Sequence, residues 1–538
     1  MAFYSLKTGR ARYRQGWLFA AALAVCLVLA SPLLVIVWQA AQSDPADFID
    51  TLWRPLVASL ALNTALIVAS TTLLCGVLGL VSAWFSERTR LPWQGLWPLL
   101  SVAPMAVPTF ISSYAWVSLS DDLQGFPAAL LVLVSAYSPL VFLPVSAALR
   151  GLDPALEETA RTLGLGPWRC FFRLILPQLR PALLGGMLLV ALSTLSEFGA
   201  FVLLRFRTFT TEIFAEYRAG FDSHGAAQLS IALLLAAALL IGLEWRVRRQ
   251  ASSYERRARG TRRAPPRLEL GAGKWLVVAG FLLLSCVTLL LPLSTLGYWL
   301  TQHGDAAVSP VEVSAQLLFD ASFSSIELGL EGAALTVLLA LPLGYLLARR
   351  PGRVAAFMER VAFLVQGVPG IVIALGLVTV SIRVIPGLYQ SQFLLLLAYA
   401  ILFLPLAMVS VRSALLQAES RLEELARSLG LKGWQTWLRV LLPMAAPGLG
   451  AAASLVFLSI VTELTATLLL SPIGTETLAT QIWADTSAMA FAAAAPYALI
   501  LTVLSMVSTW LLMLLLGGNA INRLAADGTT VAGETAHV

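Results

Sequence analysis

The sequence predicts an all-α polytopic membrane protein of about twelve transmembrane helices, arranged as two parallel six-helix repeats. Three observations predict it. Of 538 residues, 58% are hydrophobic and only 12% are charged, where a soluble chain carries roughly a quarter charged residues; the mean hydropathy is +0.81. Apolar segments near 20 residues, the length that crosses a bilayer as a helix, recur along the whole chain. A polar stretch, Leu152 to Pro181, also recurs 266 residues later.

In the first half the spans are expected at about 17–40, 56–84, 96–119, 127–149, 182–205 and 227–244. The second half gives about 275–299, 324–348, 361–381, 392–412, 447–471 and 493–517. Lys7, Arg10, Arg12 and Arg14 precede the first span, as in a signal peptide. Its apolar core exceeds an h-region of about 7–15 residues and contains Pro32, so it reads as an uncleaved anchor. Six is even, so both halves take the same orientation, as parallel repeats do. The domains are then 1–245, a basic linker 246–274, 275–517, and an Ala/Gly/Thr-rich tail 518–538 that reads as disordered.

Lysine and arginine set the orientation. The basic N-terminus, Arg88 and Arg90, the repeated stretch, the ten Lys/Arg between Glu244 and Lys274, and Arg349, Arg350 and Arg353 all fall on one side. That side is expected to be cytoplasmic, with both termini there. The net charge of +6 is explained by this topology, and no nucleic-acid surface is indicated. The linker, with Arg256-Arg257, Arg262-Arg263 and Pro265-Pro266, reads as solvated chain, a lipid-headgroup or regulatory site being the alternative. Cys26, Cys75, Cys170 and Cys286 show no disulfide or metal spacing, and His224, His303 and His537 are as scattered. No catalytic constellation or metal site assembles from these spacings.

The repeated stretch is the most specific feature. Residues 157–181 and 423–447 align without a gap, with 12 of 25 positions identical. Asp153 suits an N-cap and Pro154 the first helical position. Leu156, Ala160 and Leu163 share one helical face, and Glu157 and Arg161 form an i, i+4 pair. Gly164 suits a left-handed terminator. A second short helix from Trp168 is expected to end at Leu176-Pro177, where the next span begins. Leu422, Ala426, Leu429, Glu423/Arg427, Gly430 and Leu442-Pro443 repeat the design. A membrane-surface helix would favour a basic polar face. This acid-plus-Arg face, present twice, fits protein docking better, with two copies of the partner.

Glu-x-Ala, three residues, Gly, nine residues, aliphatic-x-Leu-Pro resembles the signature loop of ATP-binding-cassette importer permeases. Glu158, Ala160, Gly164, Leu174 and Leu176-Pro177 match, as do Glu424, Ala426, Gly430, Val440 and Leu442-Pro443. Thr159 and Leu425 depart, standing where that family usually has a second Ala. The resemblance implies two fused type I permease domains whose coupling loops, 152–181 and 418–447, each dock a cytoplasmic ATPase subunit. It also implies an external substrate-binding protein and location in a bacterial inner membrane. ATP and magnesium would be bound by the ATPase and no cofactor by this chain. Gly271-Ala272-Gly273-Lys274 lacks the leading Gly of a phosphate loop (Leu268) and the Ser/Thr after Lys (Trp275). The chain is therefore expected to be a transport subunit and not an enzyme.

For the pathway, Glu197 and Glu463 lie about fifteen residues into equivalent spans. An ionised carboxylate near the bilayer centre costs roughly 3 kcal/mol, so such residues face a bundle interior or a wet path. They read as lining or gating the pathway, with Thr462 beside them and with transient metal contact, or else as bonded structurally to Ser193, Thr194 or Thr462. The segments 207–213 and 475–483 read as external loops or short helices meeting a binding protein. Ser196-Glu197-Phe198-Gly199 with Thr208-Phe209-Thr210-Thr211, and Val461-Thr462-Glu463-Leu464 with Gly474-Thr475-Glu476-Thr477, resemble fused permeases of ferric-iron importers. Fused permeases for thiamine, phosphonates or polyamines share the architecture. A secondary transporter of the major facilitator type would also have two six-span halves, but does not predict the two acidic hairpins; a membrane enzyme lacks its nucleophile cluster.

Overall fold

A computed structural model describes residues 16–42, 44, 46, 50–51, 53–120, 122–152, 154–218, 223–251, 267–302, 314–350, 352–418 and 420–534. The basic N-terminal residues and most of the linker, including Arg256-Arg257 and Pro265-Pro266, lie outside the described residues, as do Asp153, His303 and His537.

The first half runs α1 (Gly16–Ala41), α2 (Pro55–Arg88), α3 (Leu96–Val102), α4 (Thr109–Leu119), α5 (Gly125–Gly151), α6 (Pro154–Thr162), α7 (Pro167–Cys170), α8 (Leu176–Ser196), α9 (Gly199–Leu203), α10 (Phe209–Arg218) and α11 (Ser223–Ala251). The second half runs α12 (Lys274–Ser285), α13 (Leu291–Thr301), α14 (Ala315–Arg349), α15 (Arg353–Gln366), α16 (Gly370–Arg383), α17 (Gln392–Gln417), α18 (Ser420–Ser428), α19 (Gly433–Thr436), α20 (Leu442–Val461), α21 (Thr465–Leu470), α22 (Leu478–Ser487) and α23 (Phe491–Glu534). Among the described residues, ten helical segments are long and apolar enough to cross a membrane. Two bent pairs, Leu96–Ala106 with Thr109–Leu119 and Arg353–Gln366 with Gly370–Arg383, raise that to twelve if each is one span.

Bends divide the third and ninth spans, expected at about 96–119 and 361–381. They measure 85° and 103° and sit at Pro108 and Pro369, each immediately before a new helix. A proline nitrogen cannot continue the ladder, and its ring pushes the preceding residue out of the helical region. The fifth and eleventh spans also break, between Ser196 and Gly199 and between Val461 and Thr465. The tail expected to be disordered continues α23 as helix to Glu534, through Gly517, Gly518, Gly528 and Gly533.

Each half packs in the same pattern: α2 on α5 and α8, mirrored by α14 on α17 and α20. The first span of each half crosses to the other. Helix α1 lies against α16, where Thr379 Oγ1 donates to Gln39 Oε1 at 3.2 Å. The first span of the second half, α12 to α13, lies against α3 and α4, with Trp97 stacked on Phe281 at 5.3 Å. The crossing at α1 is tight because Gly376 has no side chain: a Cβ there would stand 2.6 Å from the Pro32 carbonyl oxygen. Gly376→Val is expected to lower stability by about 1–3 kcal/mol through overpacking, read as a lower thermal midpoint of the purified protein in detergent. An unchanged midpoint would show that α1 is not held there.

Candidate functional site

The two hairpins are built alike. Helix α6 ends in a turn where Leu165 N donates to Ala160 O at 3.1 Å, and α18 ends with Leu431 N donating to Ala426 O at 3.1 Å. These six-residue closures require a left-handed residue between them, and Gly164 and Gly430 take φ of +82° and +85°. Past the turn, the chain does not stop at Leu-Pro as the sequence suggested. It passes through one π-helical turn, Phe171–Ile175 or Trp437–Leu441, straight into α8 or α20. Pro177 and Pro443 cannot donate, and just before them Leu176 N and Leu442 N reach back five residues, to Phe171 O and Trp437 O. Leu291-Pro292 is also preceded by a π turn, whereas Leu143-Pro144, Leu341-Pro342 and Leu404-Pro405 lie in uninterrupted helices. Each hairpin is therefore continuous with the span that follows.

The expected single apolar face divides in two. Ala160 and Ala426 are buried, whereas Leu163 (78% exposed) and Leu429 (81%) lie in the turn and point outward. Trp168 and Phe172, also exposed, stack on each other past the turn, and Trp434 and Leu438 stand exposed at the equivalent positions. Glu158 and Glu424 are exposed. Each hairpin thus presents an apolar knob with an adjacent carboxylate. Glu157 and Glu423, placed by sequence on that docking surface, are instead buried. Glu157 Oε2 lies 3.0 Å from Arg88 Nη1, and Glu423 Oε1 lies 2.6 Å from Arg349 Nε. The side chains of Leu156, Arg161 and Arg427 lie outside the described residues, so the i, i+4 pairs are not described.

Deeper in the molecule, Glu197 and Glu463 occupy the breaks that end α8 and α20. Each carboxylate caps the short helix that follows: Glu197 Oε1 accepts from Ala200 N, and Glu463 Oε1 from Ala466 N, both at 3.0 Å. Both glutamates line one cavity of about 220 Å³, with Thr109, Tyr137 and Ser196 from the first half and Thr462 and Thr465 from the second. The structural bonds expected from Ser193, Thr194 or Thr462 do not form; Thr462 Oγ1 donates to Leu458 O and Ser459 O of its own helix.

The two carboxylates are held differently. Glu197 Oε2 receives Tyr137 OH at 2.5 Å and Thr109 Oγ1 at 3.1 Å. The 266-residue shift puts Phe403 where Tyr137 stands, and Gly370 follows Pro369 as Thr109 follows Pro108. Glu463 therefore has no hydroxyl at either position, and it is met by the backbone N–H groups of Ala466 and Thr465. Glu197 is thus held by two hydroxyls and a backbone N–H, and Glu463 by backbone N–H groups.

Beyond the cavity, 207–213 and 475–483 form the starts of α10 and α22. Thr208 N donates to Thr211 Oγ1 and Thr477 N to Thr480 Oγ1, both at 2.9 Å. Phe214 and Trp483, equivalent residues of these helices, meet edge to face at 6.3 Å. Two equivalent residues in mutual contact mark the pseudo-twofold axis. Phe198, a cavity-lining residue, packs on Phe214 at 4.9 Å, so an aromatic stack covers the carboxylate cavity.

The family model for the binding-protein-dependent transport system inner membrane component matches residues 75–309 and, a second time, 340–516. The chain belongs to this family. Such inner membrane components are the permeases of binding-protein-dependent ABC transporters, working with an ATPase and a substrate-binding protein, and are not enzymes. The match sets aside the secondary-transporter and membrane-enzyme readings. The chain is 36% identical over 499 residues to the Fe(3+)-transport system permease protein FbpB 2 of Haemophilus influenzae, spanning 92% of this chain and 97% of that one. It is 30% identical over 236 residues to the Escherichia coli sulfate transport system permease protein CysT (40% of this chain, 85% of that one). It is 26% identical over 223 residues to the E. coli molybdenum transport system permease protein ModB (37% and 95%).

Within this permease, several participants escaped the sequence reading. Arg88 and Arg349 were legible only as topology markers, and Tyr137 and Thr109 only as residues of apolar spans. A signal for the arginines existed: both are the last residue of the helix preceding a bent pair. Among the described residues, no group of three or more His, Cys, Asp or Glu could hold a metal, so the cavity offers two carboxylates and hydroxyls, not a closed metal cage.

Proposed function

We propose that this permease carries ferric iron inward across a bacterial inner membrane, driven by two copies of an ATPase, one on each hairpin. Both termini and both hairpins then face the cytoplasm, as the positive charge bias indicates. ATP and magnesium belong to the ATPase, and this chain needs no cofactor of its own. The two domains would run over 1–245 and 275–517, each exchanging its first span with the other. Lipid surrounds the exposed apolar helices, and a periplasmic binding protein would deliver cargo over α10 and α22.

The observation that carries the reading is the cavity shared by Glu197 and Glu463. Carboxylate oxygen is a suitable ligand for a hard cation, whereas an anion such as sulfate would meet two carboxyl groups that offer it no cation. The near full-length similarity to a permease named for Fe(3+) supports the same cargo. Translocation requires binding strong enough to admit an ion and weak enough to release it. One carboxylate tied up by Tyr137 and Thr109, and one without those two hydroxyls, suits such passing contact. Thiamine and polyamine are also cationic and phosphonate is not, so charge alone leaves two competitors.

The test is ATP hydrolysis by the complete transporter in proteoliposomes, with its binding protein loaded in turn with ferric iron, thiamine, a polyamine or sulfate. Ferric iron is expected to stimulate hydrolysis at least about fivefold. Stimulation by another cargo and not by iron would overturn the assignment.

A further inference from the structure

We propose that the buried pairs Arg88–Glu157 and Arg349–Glu423 are the links through which each hairpin moves the membrane domain. The proposal rests on the reading that the hairpins receive the ATPase.

Helix α6 is nine residues long and α18 likewise. A helix so short has little stability of its own, and a load applied at its exposed tip passes on only through what fixes its inner face. On that inner face each hairpin places a glutamate against the terminal arginine of a long helix, α2 or α14. Arg88 and Glu157 side chains are 3% and 9% exposed, and Arg349 and Glu423 are 12% and 8%. Each pair sits in an aromatic frame built from equivalent positions. The Arg88 guanidinium lies 6.0 Å from the ring centre of Trp84, which meets Phe171 at 4.7 Å. Tyr345 takes Trp84's place, donating to Glu423 Oε2 at 3.4 Å and meeting Trp437 at 6.2 Å. Arg349 Nη2 also donates to Ala418 O at 2.7 Å, at the root of the second hairpin. Phe171 and Trp437 lie in the π turns, so the frame joins the hairpin, the following span and the preceding long helix.

A buried ion pair is weak evidence for stability, since well-packed apolar residues often replace one without loss. It does fix geometry, and removing one partner leaves an uncompensated charge. Finding the pair at both hairpins, with different aromatic neighbours, argues for a positional task. Through it a movement of the hairpin pulls on α2 or α14 as well as pushing α8 or α20 through the π turn. The Glu197 and Glu463 breaks end α8 and α20, which pack against α2 and α14. The cavity walls would therefore move together.

The experiment uses the complete reconstituted transporter and counts substrate carried per ATP hydrolysed. Neutral replacement of both pairs (Arg88→Met, Glu157→Met, Arg349→Met, Glu423→Met) avoids stranded charges. With the ATPase still co-purifying, transport per ATP is expected to fall at least about tenfold. The exchanged variant (Arg88→Glu, Glu157→Arg, Arg349→Glu, Glu423→Arg) is expected to recover to within about threefold of wild type. A neutral variant with the wild-type ratio would overturn the proposal, as would one that loses the ATPase, which would make the pairs part of docking and not of transmission. Failure of the wild-type chain to retain any ATPase would instead overturn the docking reading beneath it.

Discussion

Replacing both cavity carboxylates, Glu197→Gln with Glu463→Gln, is expected to reduce ATP-dependent uptake by about a hundredfold or more while leaving the protein in the membrane. A ligand contact to a charged group contributes roughly 1.5–3 kcal/mol, about one to two powers of ten at 1.4 kcal/mol each, and removing the second carboxylate from the same cavity adds to that loss. Glutamine keeps the size and can still accept from Ala200 N or Ala466 N, so the capped helices α9 and α21 have no reason to unwind. What is lost is negative charge in a cavity that two halves of the chain build together.

The single variants should separate. On the proposed reading Glu463, with no hydroxyl donors at the positions of Tyr137 and Thr109, would be the carboxylate that meets cargo, and Glu463→Gln should account for most of the transport loss. Glu197→Gln should mainly weaken the bonds to Tyr137 and Thr109 and lower the thermal midpoint. Uptake at the wild-type rate in the double variant would remove both residues from the pathway. Equal losses in the two singles would contradict the asymmetry.

The legible part of this molecule was what repeats in one dimension. Hydropathy placed twelve apolar stretches, and the shift of 266 paired the hairpins, the left-handed Gly164 and Gly430, and Glu197 with Glu463. Direction was not legible. Nothing in the hydropathy of 96–119 or 361–381 says that the chain turns by 85° and 103°; Pro108 and Pro369 said so, but proline is also tolerated inside spanning helices, as Pro139 and Pro405 are here. Partners distant in sequence were not legible either. Glu157 reads as an exposed acid on an amphipathic helix until Arg88, 69 residues away, is brought against it. The difference between Glu197 and Glu463 lay in plain sight as Tyr137 against Phe403, yet it acquires meaning only when the bend at Pro108 delivers Thr109 to the same oxygen.

The second large effect concerns the turn of each hairpin. Gly164→Pro together with Gly430→Pro is expected to lower uptake by at least about a hundredfold, with the protein still inserted. Neither glycine has another heavy atom within 4 Å of where a Cβ would sit, so the demand is one of backbone alone. At φ of +82° and +85° proline, fixed near −65°, cannot be accommodated, and the turn must rebuild at a cost of about 3 kcal/mol or more per hairpin. Rebuilding breaks the closures onto Ala160 O and Ala426 O and redirects Leu163 and Trp168, Leu429 and Trp434, the exposed knobs on which the ATPase would seat. Asparagine, which visits the left-handed region at small cost, supplies the control: Gly164→Asn with Gly430→Asn should keep uptake within about threefold of wild type. If the proline variant transports normally, the hairpins are not in the mechanism. If the asparagine variant fails as badly, the glycines serve by their lack of a side chain against the ATPase and not by their conformation. The pair of variants therefore distinguishes a turn that shapes the docking knob from a surface that must stay bare.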